Sequence, residues 1–332
     1  MNSILADLKK GNIKPIYLLT GDEPYFIDKI SDYIKDNILN EDEKGFNQTI
    51  IYGRDTSIDA IMSSANRYPM MAERQVIIVK EAQDLSRTIE KLVPYVENPQ
   101  PTTVLVLCYK YKKIDARKKL AKLIKKKGYV FFQSKKLYDN QIGDWIRKNL
   151  LAKGHKIDPK AVMMLVEFLG TDLSKINNEL DKLSLIISKD KVISPEDIET
   201  NIGISKDYNN FELRKAISNK QIVKANVIIN YFKQNETANP LVVTIALLND
   251  LFTKILLLHG LQDKSQSNVA IKLKVSPFFV REYFDAAKNY PMRKVAQIIS
   301  LLHEADMKSK GVGATIMSKN SILKELLFKI MH

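Results

Sequence analysis

The sequence predicts an α/β unit followed by an all-α region. Two observations carry this. Uninterrupted apolar runs at residues 16–20, 76–79, 104–108 and 130–132 alternate with stretches of helical spacing, as do the strands of a parallel sheet covered on both faces. After Tyr138 no further strong strand signal appears, and helix-start signals take over. A chain of 332 residues exceeds one compact core. It divides into an α/β domain at 1–137, a small helical domain at 138–205 and a second helical domain at 206–332.

The first strand and helix are the most informative. In Ile16-Tyr17-Leu18-Leu19-Thr20-Gly21-Asp22-Glu23-Pro24-Tyr25-Phe26-Ile27-Asp28 an apolar run ends in a glycine, a short turn follows, and a helix begins. Asp22 is expected to cap that helix and Pro24 to sit in its first turn. Phe26, Ile27, Ile30, Ile34 and Ile38 then recur at helical spacing. The layout is that of a phosphate-binding loop, without its chemistry. In a working loop, glycine N–H groups wrap the phosphates, a Lys neutralises them, and a Ser or Thr holds Mg²⁺. With Gly21 as the first glycine, the next two fall on Pro24 and Phe26, the lysine on Ile27 and the hydroxyl on Asp28. Asp22, Glu23 and Asp28 put three acids where a triphosphate would lie. A strand, turn and helix open many α/β domains, so this pattern alone does not decide the class. A second departure supports the first. The run 75–79 leads into Lys80 and Glu81, where P-loop ATPases carry acidic ligands for Mg²⁺ and water, and only the second acid is present.

Helix starts in the remainder are marked by Asp158-Pro159, Ser194-Pro195-Glu196-Asp197 and Ser276-Pro277, each with a capping residue before a proline. Gly170 fits a helix end. The two helical domains divide near Ile204-Ser205-Lys206-Asp207. Residues 241–258 form the longest apolar stretch, but Asn249, Asp250 and Lys254 interrupt it, which argues for a buried or interfacial helix rather than a membrane span. Trp145, with Ile142 and Ile146, reads as core of the small helical domain rather than a base-stacking platform.

A net charge of +14 and a pI near 9.4 favour nucleic acid or an acidic protein partner. The charge is mostly lysine, which suits backbone contact without base readout. The densest run lies within residues 112–127, where Lys118, Lys119 and Lys122 are candidates for DNA or acidic-partner contact. Leu120, Leu123 and Ile124 within it have amphipathic spacing, which alone explains the run as the solvated face of a short helix, the reading favoured over contact. The single cysteine, Cys108, lies in an apolar run and reads as a core thiol in a reducing compartment, the cytoplasm. Met1 opens onto a polar segment without a signal peptide. The four histidines are scattered, and there is no C-x-x-C, H-E-x-x-H or G-x-S-x-G. No catalytic residue, metal or cofactor is expected.

Four places carry a resemblance to the δ subunit family of the bacterial DNA polymerase III clamp loader. Pro15-Ile16-Tyr17-Leu18-Leu19-Thr20-Gly21-Asp22-Glu23 resembles the family's degenerate loop. Met70-Met71-Ala72-Glu73-Arg74-Gln75-Val76-Ile77-Ile78-Val79 resembles its apolar pair, arginine and strand. Gly170-Thr171-Asp172-Leu173, with Asn178-Glu179-Leu180-Asp181-Lys182-Leu183, is similar to its second-domain signature, the most distinctive of the four. Ala305-Asp306-Met307-Lys308 and Gly311 resemble a helix end in its third domain.

The resemblance implies an AAA+-like α/β domain, a helical lid and a helical collar through which the subunit joins a hetero-oligomer. It implies partner subunits that bind and hydrolyse ATP, a δ′ subunit, a sliding clamp held open for loading, and DNA contacted without sequence preference. It also places Met70 and Met71 at the family's apolar clamp contact, often Leu-Phe, with Tyr68 and Pro69 leading into it. From local sequence alone these residues read as core at a helix end. The resemblance implies a subunit of DNA-directed DNA polymerase whose catalytic label follows the holoenzyme, and no polymerase carboxylate site is found in this sequence. Two other functions fit parts of the sequence. An atypical AAA+ ATPase needs a lysine at the phosphates, but the nearest, Lys29, is turned by about 200° from position 27 on a helix. A stand-alone basic helical protein predicts tight nucleic-acid binding without partners.

Overall fold

The apolar runs become strands of one parallel sheet. The computed structural model describes all residues except 276 and 313–318, and the chain forms two units, Met1–Leu137 and Tyr138–His332. The first unit contains β1 (Ile16–Gly21), β2 (Gln48–Tyr52), β3 (Gln75–Lys80), β4 (Thr103–Lys110) and β5 (Val130–Ser134). Its helices are α1 (Asn2–Lys9), α2 (Pro24–Asn37), α3 (Glu41–Asn47), α4 (Ile58–Ala65), α5 (Val93–Glu97) and α6 (Lys119–Lys126). The strand order is β2-β3-β4-β1-β5, all parallel, with Ile16 opposite Leu105 and Ile77 opposite Leu105 on its other side.

Side chains alternate between the faces, as strand geometry requires. Tyr17, Leu19, Val76, Ile78, Val104, Val106 and Cys108 pack with Ile27, Ile30 and Ile34 of α2. Ile16, Leu18, Ile77, Val79, Leu105 and Leu107 pack with Ile58 and Ile61 of α4, Val96 of α5 and Leu120 and Ile124 of α6. Both faces are covered, which is why these strands read as unbroken apolar runs. Cys108 is fully buried, and burial pushes its thiol up to about 12. β2 was not foreseen. It is an edge strand with Thr49, Ile50 and Tyr52 exposed, so it lacks the two-sided apolar signal.

The second unit contains α7 (Asp139–Ala152), β6 (Lys156–Ile157), α8 (Pro159–Leu169), α9 (Leu173–Ile186), β7 (Val192–Ile193) and α10 (Pro195–Ile202). It continues with α11 (Asn210–Ser218), α12 (Ile222–Gln234), α13 (Leu241–Gly260), α14 (Gln266–Leu273), α15 (Val280–Asn289), α16 (Met292–Ser309) and α17 (Lys319–Met331). The paired β6 and β7 depart from the helix-only expectation; two residues per strand are too few for a sequence signal. Asp158 caps α8 and Ser194 caps α10 in a capping box with Asp197. Ser276 lies outside the described residues, while Pro277 opens a 3-10 turn before α15. Gly170 ends α8 at φ +66°. Trp145 is half-buried between the fully buried Ile142 and Ile146.

Helix α13 is long and apolar enough to cross a membrane by length and composition. Here its Ile245, Leu248, Phe252, Ile255 and Leu258 are buried in one core with residues of α11, α12 and α14 to α17. Lys160 of α8 pairs with the buried Glu212 of α11 at 2.9 Å, so helices on both sides of residues 204–207 are joined.

Candidate functional site

Two places in the first unit collect the residues singled out by sequence. The first lies at the carboxyl edge of the sheet, where β1, β3 and β4 all end. In open parallel sheets this edge is the usual ligand site. Gly21 leaves β1 at φ +132°, and a Cβ there would overlap the backbone and hydroxyl oxygens of Ser134 at the end of β5. Only glycine fits this approach. The Gly21 N–H donates to Lys112 O at 3.1 Å, and the Thr20 hydroxyl donates to the same oxygen at 3.0 Å. The Glu23 N–H donates to Ser134 Oγ at 3.2 Å. Thus two N–H groups of a loop that could face phosphates are bound within the protein.

The helix cap is Glu23, not Asp22 as expected: its carboxylate accepts from the Tyr25 N–H at 3.2 Å, with Pro24 in the first turn of α2. Asp22 instead forms an ion pair with Lys113. Asp28 pairs with Lys110 Nζ at 2.7 Å, and Glu81 reaches the same ammonium at 3.3 Å. Burial disfavours the charge on Lys110, but Asp28 and Glu81 outweigh it and hold the ammonium above its ordinary pKa. Phe26 sits edge-on to Tyr25. Ile27, at the position of the phosphate-binding lysine, is 0% exposed and points into the core beneath the sheet. The three acids of the loop are therefore committed to a helix cap and two lysines. Lys110 and Lys113 were missed as members of this site, because they lie far along the chain and only the sheet brings them there.

The second place is the turn from α4 into β3, at the amino edge of the same sheet. Carbonyls at the end of α4 and beyond are gathered by the Gln75 amide, and Thr103 Oγ1 donates to Ala65 O at 2.8 Å. The chain then turns outward through Tyr68 and Pro69. Tyr68 is 78% exposed, Met70 62% and Met71 103%, so the core alternative for the methionines is excluded. Met71 has φ +52°, in the left-handed region. Asn47, the buried last residue of α3, reaches this turn. Its Oδ1 accepts from the Met70 N–H at 2.7 Å, and its Nδ2 donates to Met70 O at 2.9 Å. Phe46, the preceding residue, is 77% exposed. Sequence reasoning missed both residues.

Lys118, Lys119 and Lys122 are exposed at the start of α6, whose Leu120, Ala121 and Ile124 are buried. Among the described residues, no hydrogen bond or ion pair joins them to either place described above.

The parallel sheet, its glycine-to-helix turn with phosphate contacts replaced, and the following helical unit define a nucleotide-binding-type α/β protein with a helical carboxyl-terminal region. The family model "DNA polymerase III, delta subunit" matches residues 17–133, and "DNA polymerase III delta subunit, C-terminal domain" matches 207–330. The chain belongs to the DNA polymerase III delta subunit family. It is 28% identical over 319 residues to DNA polymerase III subunit delta of Bacillus subtilis, covering 92% of this chain and 91% of that protein. A solved structure, the Bacillus subtilis DNA clamp loader delta protein, superposes with a TM-score of 0.59 at 26% identity, covering 99% of this chain and 98% of that one.

Proposed function

We propose that this chain is the delta-type subunit of a clamp loader. It binds the sliding clamp through Tyr68, Pro69, Met70 and Met71 and favours the open ring, so that primed DNA can enter. The observation that carries this reading is the exposed methionine pair on a turn held at its base. Large apolar side chains in contact with water are a ready source of binding energy, and methionine adapts to a partner's pocket. Opening the ring is a shift of population: the subunit must bind the open ring more tightly than the closed one.

On this reading the chain neither binds nor hydrolyses ATP, and partner ATPase subunits do so. The ion pairs of Lys110 and Lys113, with Ile27 in the core, support it. Residues 138–205 serve as lid and 206–332 as collar, joining the ATPase subunits and a δ′ subunit in a cytoplasmic hetero-oligomer. The lysine-rich face of α6 supplies DNA or acidic-partner contact inside that complex.

The test is the double variant Met70→Ala with Met71→Ala, read by clamp affinity and thermal melting. Burying a Met side chain in a pocket is worth roughly 1.5–3 kcal/mol, so clamp affinity should fall by roughly a hundredfold or more. The melting temperature should hold. Unimpaired clamp binding by the folded variant would overturn the proposal.

A further inference from the structure

The turn that carries the methionines has a hold whose chemistry is specific. A primary amide has two donor hydrogens and one acceptor oxygen. Asn47 spends all of these locally. Its Oδ1 takes the Met70 N–H, and its Nδ2 serves Met70 O and, at 3.2 Å, Glu43 O in its own helix. Both polar groups of one backbone residue are thus gripped by one side chain, as a neighbouring strand would grip them. Asn47 itself is buried, and the next residue of the chain, Gln48, is tied to Lys35 O at 2.6 Å, so the grip is mounted on a fixed base. Immediately beyond the gripped residue the backbone enters the left-handed region at Met71, which an L residue adopts only at a cost and only when its surroundings enforce it.

We infer that Asn47 is a positioning residue for clamp binding: its carboxamide fixes the Met70–Met71 turn in the shape that presents both side chains. This rests on the reading of the methionines as clamp anchors. Without the grip the turn samples other shapes, and the clamp-competent shape must be reselected on binding, which lowers apparent affinity by the fraction populated. Asp at position 47 keeps the acceptor but loses both donors and sets a carboxylate against Met70 O. Ala removes the grip altogether.

The experiment measures affinity of the full-length chain for the organism's sliding clamp, immobilised on a sensor. It compares wild type, Asn47→Ala, Asn47→Asp, the Met70→Ala/Met71→Ala double variant, and the triple variant with Asn47→Ala added. Circular dichroism reports folding at the assay temperature, and hydrogen exchange reports the Met70 amide. Asn47→Ala should weaken binding by roughly tenfold, of the order expected when a hydrogen-bonded arrangement is lost. Asn47→Asp, the closest replacement in shape, should also weaken binding, and it decides the matter if the alanine variant is unfolded. The Met70 amide should exchange faster. In the methionine-less background Asn47→Ala should add no further loss, because there is nothing left to position. Wild-type affinity in a folded Asn47 variant, beside a weakened methionine variant, overturns this inference alone. A full Asn47→Ala loss that persists without the methionines overturns it too, since Asn47 then acts elsewhere. Wild-type affinity in the folded methionine variant overturns the clamp reading itself, and this inference with it.

Discussion

The turn after β1 and the turn before β3 belong to one sheet and have opposite fates. The first lies at the carboxyl edge, the second at the amino edge. With all strands parallel, they are separated by the length of a six-residue strand, about 20 Å. At the carboxyl edge every acid of the old loop position has an internal partner: Glu23 caps α2, Asp22 meets Lys113, and Asp28 meets Lys110. At the amino edge Tyr68, Met70 and Met71 face water. A charged site can be closed by supplying counter-charges from neighbouring strands. An apolar surface left open is closed only by another molecule. The comparison teaches that, where this class of fold ordinarily binds a ligand, the acids are held by internal partners, and that the exposed apolar turn lies at the opposite edge of the sheet.

The sharpest attempt to break the contrast is Ile27→Lys, which restores the missing phosphate lysine by residue type. Because Ile27 is fully buried, the ammonium would enter the core rather than the loop. We expect a loss of about 3 kcal/mol or more in urea unfolding and no ATP binding. A stable variant that binds labelled ATP with Mg²⁺ would show that the site had merely been switched off.

Lys110→Met tests whether the carboxyl edge is held by its ion pairs. The carboxylates of Asp28 and Glu81 are partly exposed, so we discount the cost for solvent and expect about 1–2 kcal/mol. The pH dependence is more telling. The folded chain holds the Lys110 proton more tightly than the ordinary lysine value of 10.5 allows. The resulting stabilisation is complete below pH 10.5 and is lost as pH rises through the higher folded-state value. Urea titrations carried upward from about pH 9 should show a flat region below 10.5 and a decline above it in wild type, and a smaller decline in Lys110→Met.

The amino edge should behave in the reverse manner. Met70→Ala with Met71→Ala should change unfolding free energy by less than about 0.5 kcal/mol, whereas a buried methionine costs roughly 2–5 kcal/mol. A drop of the larger size would mean that the two side chains are held by the fold after all. Smallest of all should be Phe46→Ala, whose ring is exposed, with a change in melting within the scatter of repeat measurements.

Much of this was legible from sequence where burial is two-sided. β1, β3, β4 and β5 were found because residues on both faces of the sheet are apolar. β2 was missed because one side faces water at the sheet's edge. The degenerate loop could be read by subtraction, since the glycine-to-helix layout survives at Gly21 and Pro24 while Ile27 and Asp28 replace the chemistry. Which acid caps the helix could not. Asp22 and Glu23 are adjacent, and the choice falls to Glu23 because Lys113, brought in beside β1, takes Asp22. The methionine pair was visible, with its exposure undecided, because apolar residues beside a strand are usually core. Asn47 left no local signal. Its bonds to Met70 span 23 residues, and no periodicity marks a polar residue at the last position of a short helix.

The left-handed backbone at Met71 has a practical consequence for anyone engineering this chain. Glycine adopts φ +52° without the steric conflict that an L side chain suffers, a relief of about 1 kcal/mol. Nothing inside the protein is lost when the exposed Met71 side chain goes. A library screened for thermal endurance alone would therefore drift toward glycine at position 71. It would return hardier molecules that lack one of the two exposed methionine side chains, and no folding assay would register the loss.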